Sequence, residues 1–168
     1  MRAGPFPPPS RTLRTIGFDD APFVRHRHGD VPIAGVVCAG TRFEGLVWGR
    51  FRQDGWNATA ALSRLLVGGK FLPQLHLVLL DGLSFGGLNL VDLPALAATL
   101  RRPCVAVMRR SPDLAGMERA IRRLPGAEPE ATGRALARLT DRGAVPEALR
   151  LAHLVAGAVR TGESGRRA

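Results

Sequence analysis

The chain has 168 residues, 45% of them hydrophobic, and a formal net charge of +10. That length gives one domain a full core of its own, and no stretch approaches the roughly 18 uninterrupted apolar residues of a membrane span. The charge is carried by 23 arginines and a single lysine, Lys70. A basic surface suits a polyanion such as nucleic acid. Arginine in place of lysine, with much alanine and glycine, is also what a GC-rich genome gives any protein.

The N-terminal "MRAGPFPPPS" is proline-rich and lacks the apolar core of a signal peptide. Residues 1–11 read as a flexible tail, residues 12–160 as one domain and residues 161–168 as a second tail. The expected protein is soluble and cytoplasmic. Cys38 and Cys104 sit in apolar runs with no metal-ligand spacing, and both are expected buried and reduced.

Residues 15–18 read as a short strand ending in Asp19 and Asp20. "VPIAGVVCAG" is a second strand, and Gly40-Thr41 turns the chain into a third, "RFEGLVWGRFR". The short connection predicts an antiparallel hairpin. Helical spacing then begins in "DGWNATAALSRLLVGGK", with Asn57 or Asp54 as cap and Gly68-Gly69 as stop. "QLHLVLL" is an apolar run without alternation, as in a sheet centre covered on both faces. "VDLPALAATLRR" predicts a helix capped by Asp92, and "PCVAVMRR" another buried strand. "SPDLAGMERAIRRL" predicts a helix with Ser111 as N-cap and Pro112 at its first position. Further helices are expected over residues 130–140 and in "VPEALRLAHLVAGAVR". Three early strands followed by alternating helix and strand make an α/β fold, a mixed sheet flanked by helices.

The carboxylates carry the chemistry. Asp19 and Asp81 each end a predicted strand, and parallel neighbours would bring them side by side. Ligand sites in open α/β sheets gather beyond the carboxyl ends of the strands. Asp54 stands on a connection leaving the same neighbourhood. Clustered carboxylates raise one another's pKa and call for a cation. Oxygen-only ligands suit Mg2+ or Mn2+, which activates water and neutralises charge in phosphodiester hydrolysis. The other reading of each aspartate is a turn-former or helix cap.

"TIGFDDAPF", "RQDGWNATAAL", "VLLDGLSFGGLNLVDL" and "VPEALRLAHLVAGAVRTGES", in that order, resemble a prokaryotic family related to endonuclease V, the endonuclease dU type. The resemblance spans roughly residues 12–165. It implies a ribonuclease H-like fold and a divalent-metal-dependent endonuclease acting on deaminated bases, with DNA the expected partner. Carried over by motif, the metal ligands and catalytic residues fall on Asp19, Asp54 and Asp81. Two departures stand out. Asp54 occupies a position where endonuclease V has a glutamate. The loop after Asp81 lacks the histidine-proline-arginine segment of endonuclease V. A nucleic-acid-binding protein that does not cleave is therefore the alternative, and a partner protein with incidental charge is a third reading.

Nucleic-acid contacts are expected from Trp56, Phe85, Gly86, Gly87, Asn89, Arg109 and Arg110. Aromatic rings stack on bases, and glycines let backbone amides approach a phosphate. Packing is the competing role for Trp56. His26, His28 and His153 are read as loop or helix-face residues rather than ligands.

Overall fold

The computed structural model describes residues 12–24, 29–108, 113–123, 140–141, 148, 151–152 and 155–156. Its elements are β1 (Arg14–Asp20), β2 (Asp30–Ala39), β3 (Arg42–Arg52), α1 (Ala58–Leu66), a 3-10 turn (Leu72–Gln74), β4 (Leu77–Asp81), β5 (Ser84–Phe85), β6 (Asn89–Leu90), α2 (Leu93–Leu100), β7 (Cys104–Met108), α3 (Leu114–Ile121) and β8 (Thr140–Asp141). Ala148, Leu151, Ala152, Val155 and Ala156 are helical. No helix among the described residues is long and apolar enough to cross a membrane.

The main sheet runs β3-β2-β1-β4-β7-β8. The first three strands are antiparallel, and β1, β4, β7 and β8 are mutually parallel. This is the ribonuclease H-like arrangement that the sequence led us to expect. The β2–β3 hairpin turns at Gly40, whose φ of +61 suits glycine. β4 lies between β1 and β7, and Val78, Leu79 and Leu80 are all buried, which explains its unbroken apolar run.

Strand alternation divides the core between the two faces. Ile16, Phe18, Val78 and Leu80 join Leu62 and Leu66 of α1 and Leu96 and Leu100 of α2 in the larger cluster. Val36 and Cys38 pack on Ala148 and Ala152, on the other face of the sheet. Helices therefore cover both sides.

Several local expectations need correction. The strand expected from residue 74 begins at Leu77, because Leu72–Gln74 first makes a 3-10 turn around Pro73. α3 begins at Leu114 with Asp113 as N-cap, not Ser111, because the Asp113 carboxylate accepts from Gly116 N at 2.9 Å. Ser111 and Pro112 lie outside the described residues. Thr140, expected at a helix end, pairs with Val107 in the sheet, and residues 130–139 lie outside the description. Cys38 is buried, whereas Cys104 is only partly so, and both are free thiols. The cap at Asp92 holds as expected, accepting from Ala95 N at 3.0 Å.

Candidate functional site

β1 and β4 run parallel in the register Phe18 with Leu80, and one further step brings Asp19 beside Asp81. Both are out of phase with Ile16, Phe18, Val78 and Leu80, so both project from the face opposite α1 and α2. Asp19 is buried, with only 5% of its surface exposed, and Asp81 is half-buried. Asp19 Oδ1 accepts from Asp20 N at 2.9 Å.

Asp20, read from the sequence as a cap or a brace for the loop to Pro22, braces a more distant loop. Its Oδ2 accepts from Gly86 N at 2.7 Å. Burial pushes its carboxyl above the ordinary range, and the Asp81 charge adds to that push. Hydrogen bonds from Gly86 N and its own N, and one with the Asp19 side chain, oppose it. Asp19, Asp20 and Asp81 thus form one electrostatic neighbourhood at the carboxyl ends of the two central strands. The only signal in the sequence was the doubled aspartate.

Asp54 is turned to a different task. It adopts a left-handed backbone, φ +47, rare for a residue with a side chain. Its N donates to Gly86 O at 3.0 Å, and its Oδ1 accepts from Leu88 N at 2.9 Å. Gln53 Nε2 donates to its Oδ2 at 3.3 Å. Among the described residues no three Asp, Glu, His or Cys side chains form a group that could hold a metal ion. Asp19, Asp54 and Asp81 are therefore not gathered into one cage.

The loop after Asp81 is a small hairpin, β5 paired with β6, turning at Gly86 (φ +52) and Gly87 (φ +97). Asp20 grips it through Gly86 and Asp54 grips it through Gly86 and Leu88. Phe85, expected at an accessible tip, is wholly buried with its ring edge-on to Phe51, centroids 5.8 Å apart. The hairpin folds back onto the core, so its apolar residue goes inward.

Asn89, expected to touch nucleic acid, is also wholly buried. Its Nδ2 donates to Arg52 O at 2.7 Å and Asn57 Oδ1 at 2.8 Å, and its Oδ1 accepts from Ala58 N at 2.9 Å. Asn89 therefore caps α1 from a distant part of the chain. Asn57 stands at the N-cap position but makes no side-chain cap bond. Gly86 is buried and its amide is given to Asp20. Gly87 is partly exposed and Trp56 is 38% exposed. Arg109, Arg110, His26, His28 and His153 lie outside the described residues.

A ribonuclease H-like sheet with acidic carboxyl ends on its central strands defines a nuclease-like fold. The sequence profile of the Endonuclease dU family matches residues 11–128, and the chain belongs to that family. A UPF0215 protein of Deinococcus radiodurans is 40% identical, covering 92% of this chain and 92% of its own length. A crystal structure of a protein of unknown function from Archaeoglobus fulgidus superposes with a TM-score of 0.76 at 28% identity, over 88% of this chain and 98% of that one. Endonuclease V of Bacillus subtilis is more distant, with a TM-score of 0.44 at 18% identity over 62% of this chain and 50% of that one.

Proposed function

We propose that the protein is a divalent-metal-dependent endonuclease acting on nucleic acid, DNA in the first instance, that carries a deaminated base such as deoxyuridine. The observation that carries this reading is the juxtaposition of Asp19 and Asp81 at the ends of adjacent parallel strands, in a chain of the Endonuclease dU family.

The donor chemistry fits Mg2+ or Mn2+. The neighbourhood is all oxygen, and its charges repel one another. Mg2+ is commonly held by one or two carboxylates, with water and substrate phosphate completing its shell, so a full protein cage is not required. Asp19 and Asp81 would hold the ion. Bound there, it would supply water activation and charge neutralisation for phosphodiester hydrolysis.

The remaining residues position. Asp20 and Asp54 fix the glycine hairpin against the acidic edge. Gly87 leaves backbone approachable beside that edge. Trp56 offers an exposed ring for stacking on a base. Arg109 and Arg110 come next in the sequence after Met108, and in this reading they contact phosphate.

A nuclease assay with Mn2+, on duplexes containing deoxyuridine or deoxyinosine, tests this reading. Asp81→Asn should lower cleavage by about a hundredfold or more, the range expected for loss of electrostatic stabilisation at a reacting phosphate. Cleavage undiminished in that variant would sink the mechanism. The second reading, binding without cleavage, is favoured by the composition of the hairpin. Residues 83–92, "LSFGGLNLVD", carry no basic group to protonate a leaving oxygen. It predicts salt-sensitive binding with no metal-dependent cutting.

A further inference from the structure

At the other end of β1 lies a groove of about 450 Å³ that no part of the carboxylate site uses. Arg14, Arg42, Lys70, Phe43, Phe71 and Glu44 line it. Its construction is specific. The Phe71 ring lies over Gly45, where any side chain would collide with it. Lys70 Nζ sits 4.9 Å from the centre of that ring, a cation–π contact. Arg14 is held at both backbone groups by His76, its N donating to His76 Nδ1 at 3.0 Å and its O accepting from His76 N at 2.9 Å.

Glu44 organises the two guanidinium groups. Its Oε2 accepts from Arg14 Nε at 2.8 Å and its Oε1 from Arg42 Nη2 at 2.8 Å. These bonds hold Glu44 ionised below the usual carboxylate range, the one from Arg14 contributing most. Three cations thus face one carboxylate, an excess of two positive charges in a concave site, where field lines are focused.

Phe43 is the second informative residue. Phe18, Phe51 and Phe85 are at most 1% exposed, whereas Phe43 keeps 52% of its surface in water at the rim of this groove. An exposed ring beside fixed cations matches a nucleotide unit, whose base stacks while its phosphate meets the charges. An acidic peptide has no base for Phe43.

We propose that this groove binds a nucleotide unit of a nucleic-acid strand, its phosphate held by Arg14, Arg42 and Lys70 and its base stacked on Phe43. β1 has seven residues, so at about 3.3 Å per residue the groove lies roughly 20 Å from the carboxylates. That is about six base steps of B-form DNA. The same chemistry is present in a free nucleotide, and length dependence separates the two sources.

The test is equilibrium binding, by fluorescence anisotropy in EDTA, of labelled single strands of about 16 and of about 3 nucleotides and of a duplex of about 16 base pairs (about fifteen steps overspan the distance above, about two fall short). Omitting metal separates this test from that of cleavage. Arg42→Ala and Lys70→Ala should each weaken binding of the long ligand about threefold to tenfold and reduce the salt slope by about one. Arg64→Ala, a surface change on α1 outside the groove, should alter it less than twofold or so. Phe43→Ala should weaken binding without changing the salt slope. Thermal melts matching the wild type establish that the variants fold. Displacement by a mononucleotide, lost in Lys70→Ala, assigns the groove to free nucleotides. Loss confined to the long ligand assigns it to a strand. Groove variants that bind like Arg64→Ala overturn the proposal, as does polyglutamate or inorganic phosphate competing as well as unlabelled oligonucleotide.

Discussion

Asp20 Oδ2 and Gly86 N are joined by a 2.7 Å hydrogen bond across 66 positions of sequence. This bond ties the end of β1 to the turn of the glycine hairpin. It makes the hairpin part of the acidic edge rather than a loop that hangs beside it.

The buried carboxyl that makes this bond has a pH signature, set by its burial and opposed by the bond itself. Burial raises the Asp20 carboxyl above its ordinary value of 3.8, so the folded state binds this proton more tightly than the unfolded chain. Stability from this group is therefore present at acid pH and is lost as pH rises through the raised value. Asp20→Asn keeps an oxygen for Gly86 N and removes the charge. In EDTA, wild-type stability relative to the variant should fall as pH rises from the ordinary value of 3.8 through the raised one, measured in urea melts. A difference that is flat or rises with pH contradicts this account.

Gly87→Ala should destabilise the fold by about 2 kcal/mol. The backbone φ of +97 excludes an L side chain, and the added carbon would collide with Asp54 Oδ1. Because part of the cost is that collision, Asp54→Ala should recover some of it in a double-mutant cycle. Additive losses would show that only the dihedral matters.

Asn89→Ala should cost about 3 kcal/mol, measured by the urea midpoint. It removes the acceptor of Ala58 N at the start of α1 and the Asn89 donor to Arg52 O, which keeps Gly55 N. Asn89→Asp replaces both donated bonds by repulsion from Arg52 O and Asn57 Oδ1, and should be at least as damaging. A variant that is folded normally, with loss only of nucleic-acid binding, would restore Asn89 to the contact surface.

Burial pushes the Cys104 thiol from 9.0 to about 12. At pH 8 only about one thiol in ten thousand is then ionised. Cys38 is wholly buried. Iodoacetamide should leave the native protein unmodified over an hour or so at pH 8 and alkylate both residues in urea. Rapid labelling of native Cys104, seen by peptide mass spectrometry, would refute its placement.

The sheet was legible in the sequence because it rests on local pattern. Apolar runs marked β2, β4 and β7, and Asp92 three residues ahead of Ala95 marked the cap of α2. What the sequence hid was long-range. Asn57 occupies the N-cap of α1, yet the cap bond comes from Asn89, 32 residues further on. Phe85 looked accessible beside two glycines, and only the folding back of its hairpin onto Phe51 puts it in the core. Asp54 was read with Asp19 and Asp81 because spacing and resemblance grouped them. Its left-handed backbone, which aims the carboxylate at Leu88 N, cannot be read from composition. Asp113, rather than Ser111, caps α3 because a carboxylate three residues before Gly116 reaches that amide.

The opposite ends of β1 have opposite polarity, Arg14 in the basic groove and Asp19 and Asp20 at the acidic edge. Their separation, roughly 20 Å, exceeds the Debye length of about 8 Å at physiological salt. The acids therefore do not cancel the pull of the groove on an approaching polyanion. At low ionic strength the two fields merge into one oriented along the strand. Encounter with a charged strand then becomes directional, basic end first, and its rate should fall more steeply with added salt than its dissociation rate rises.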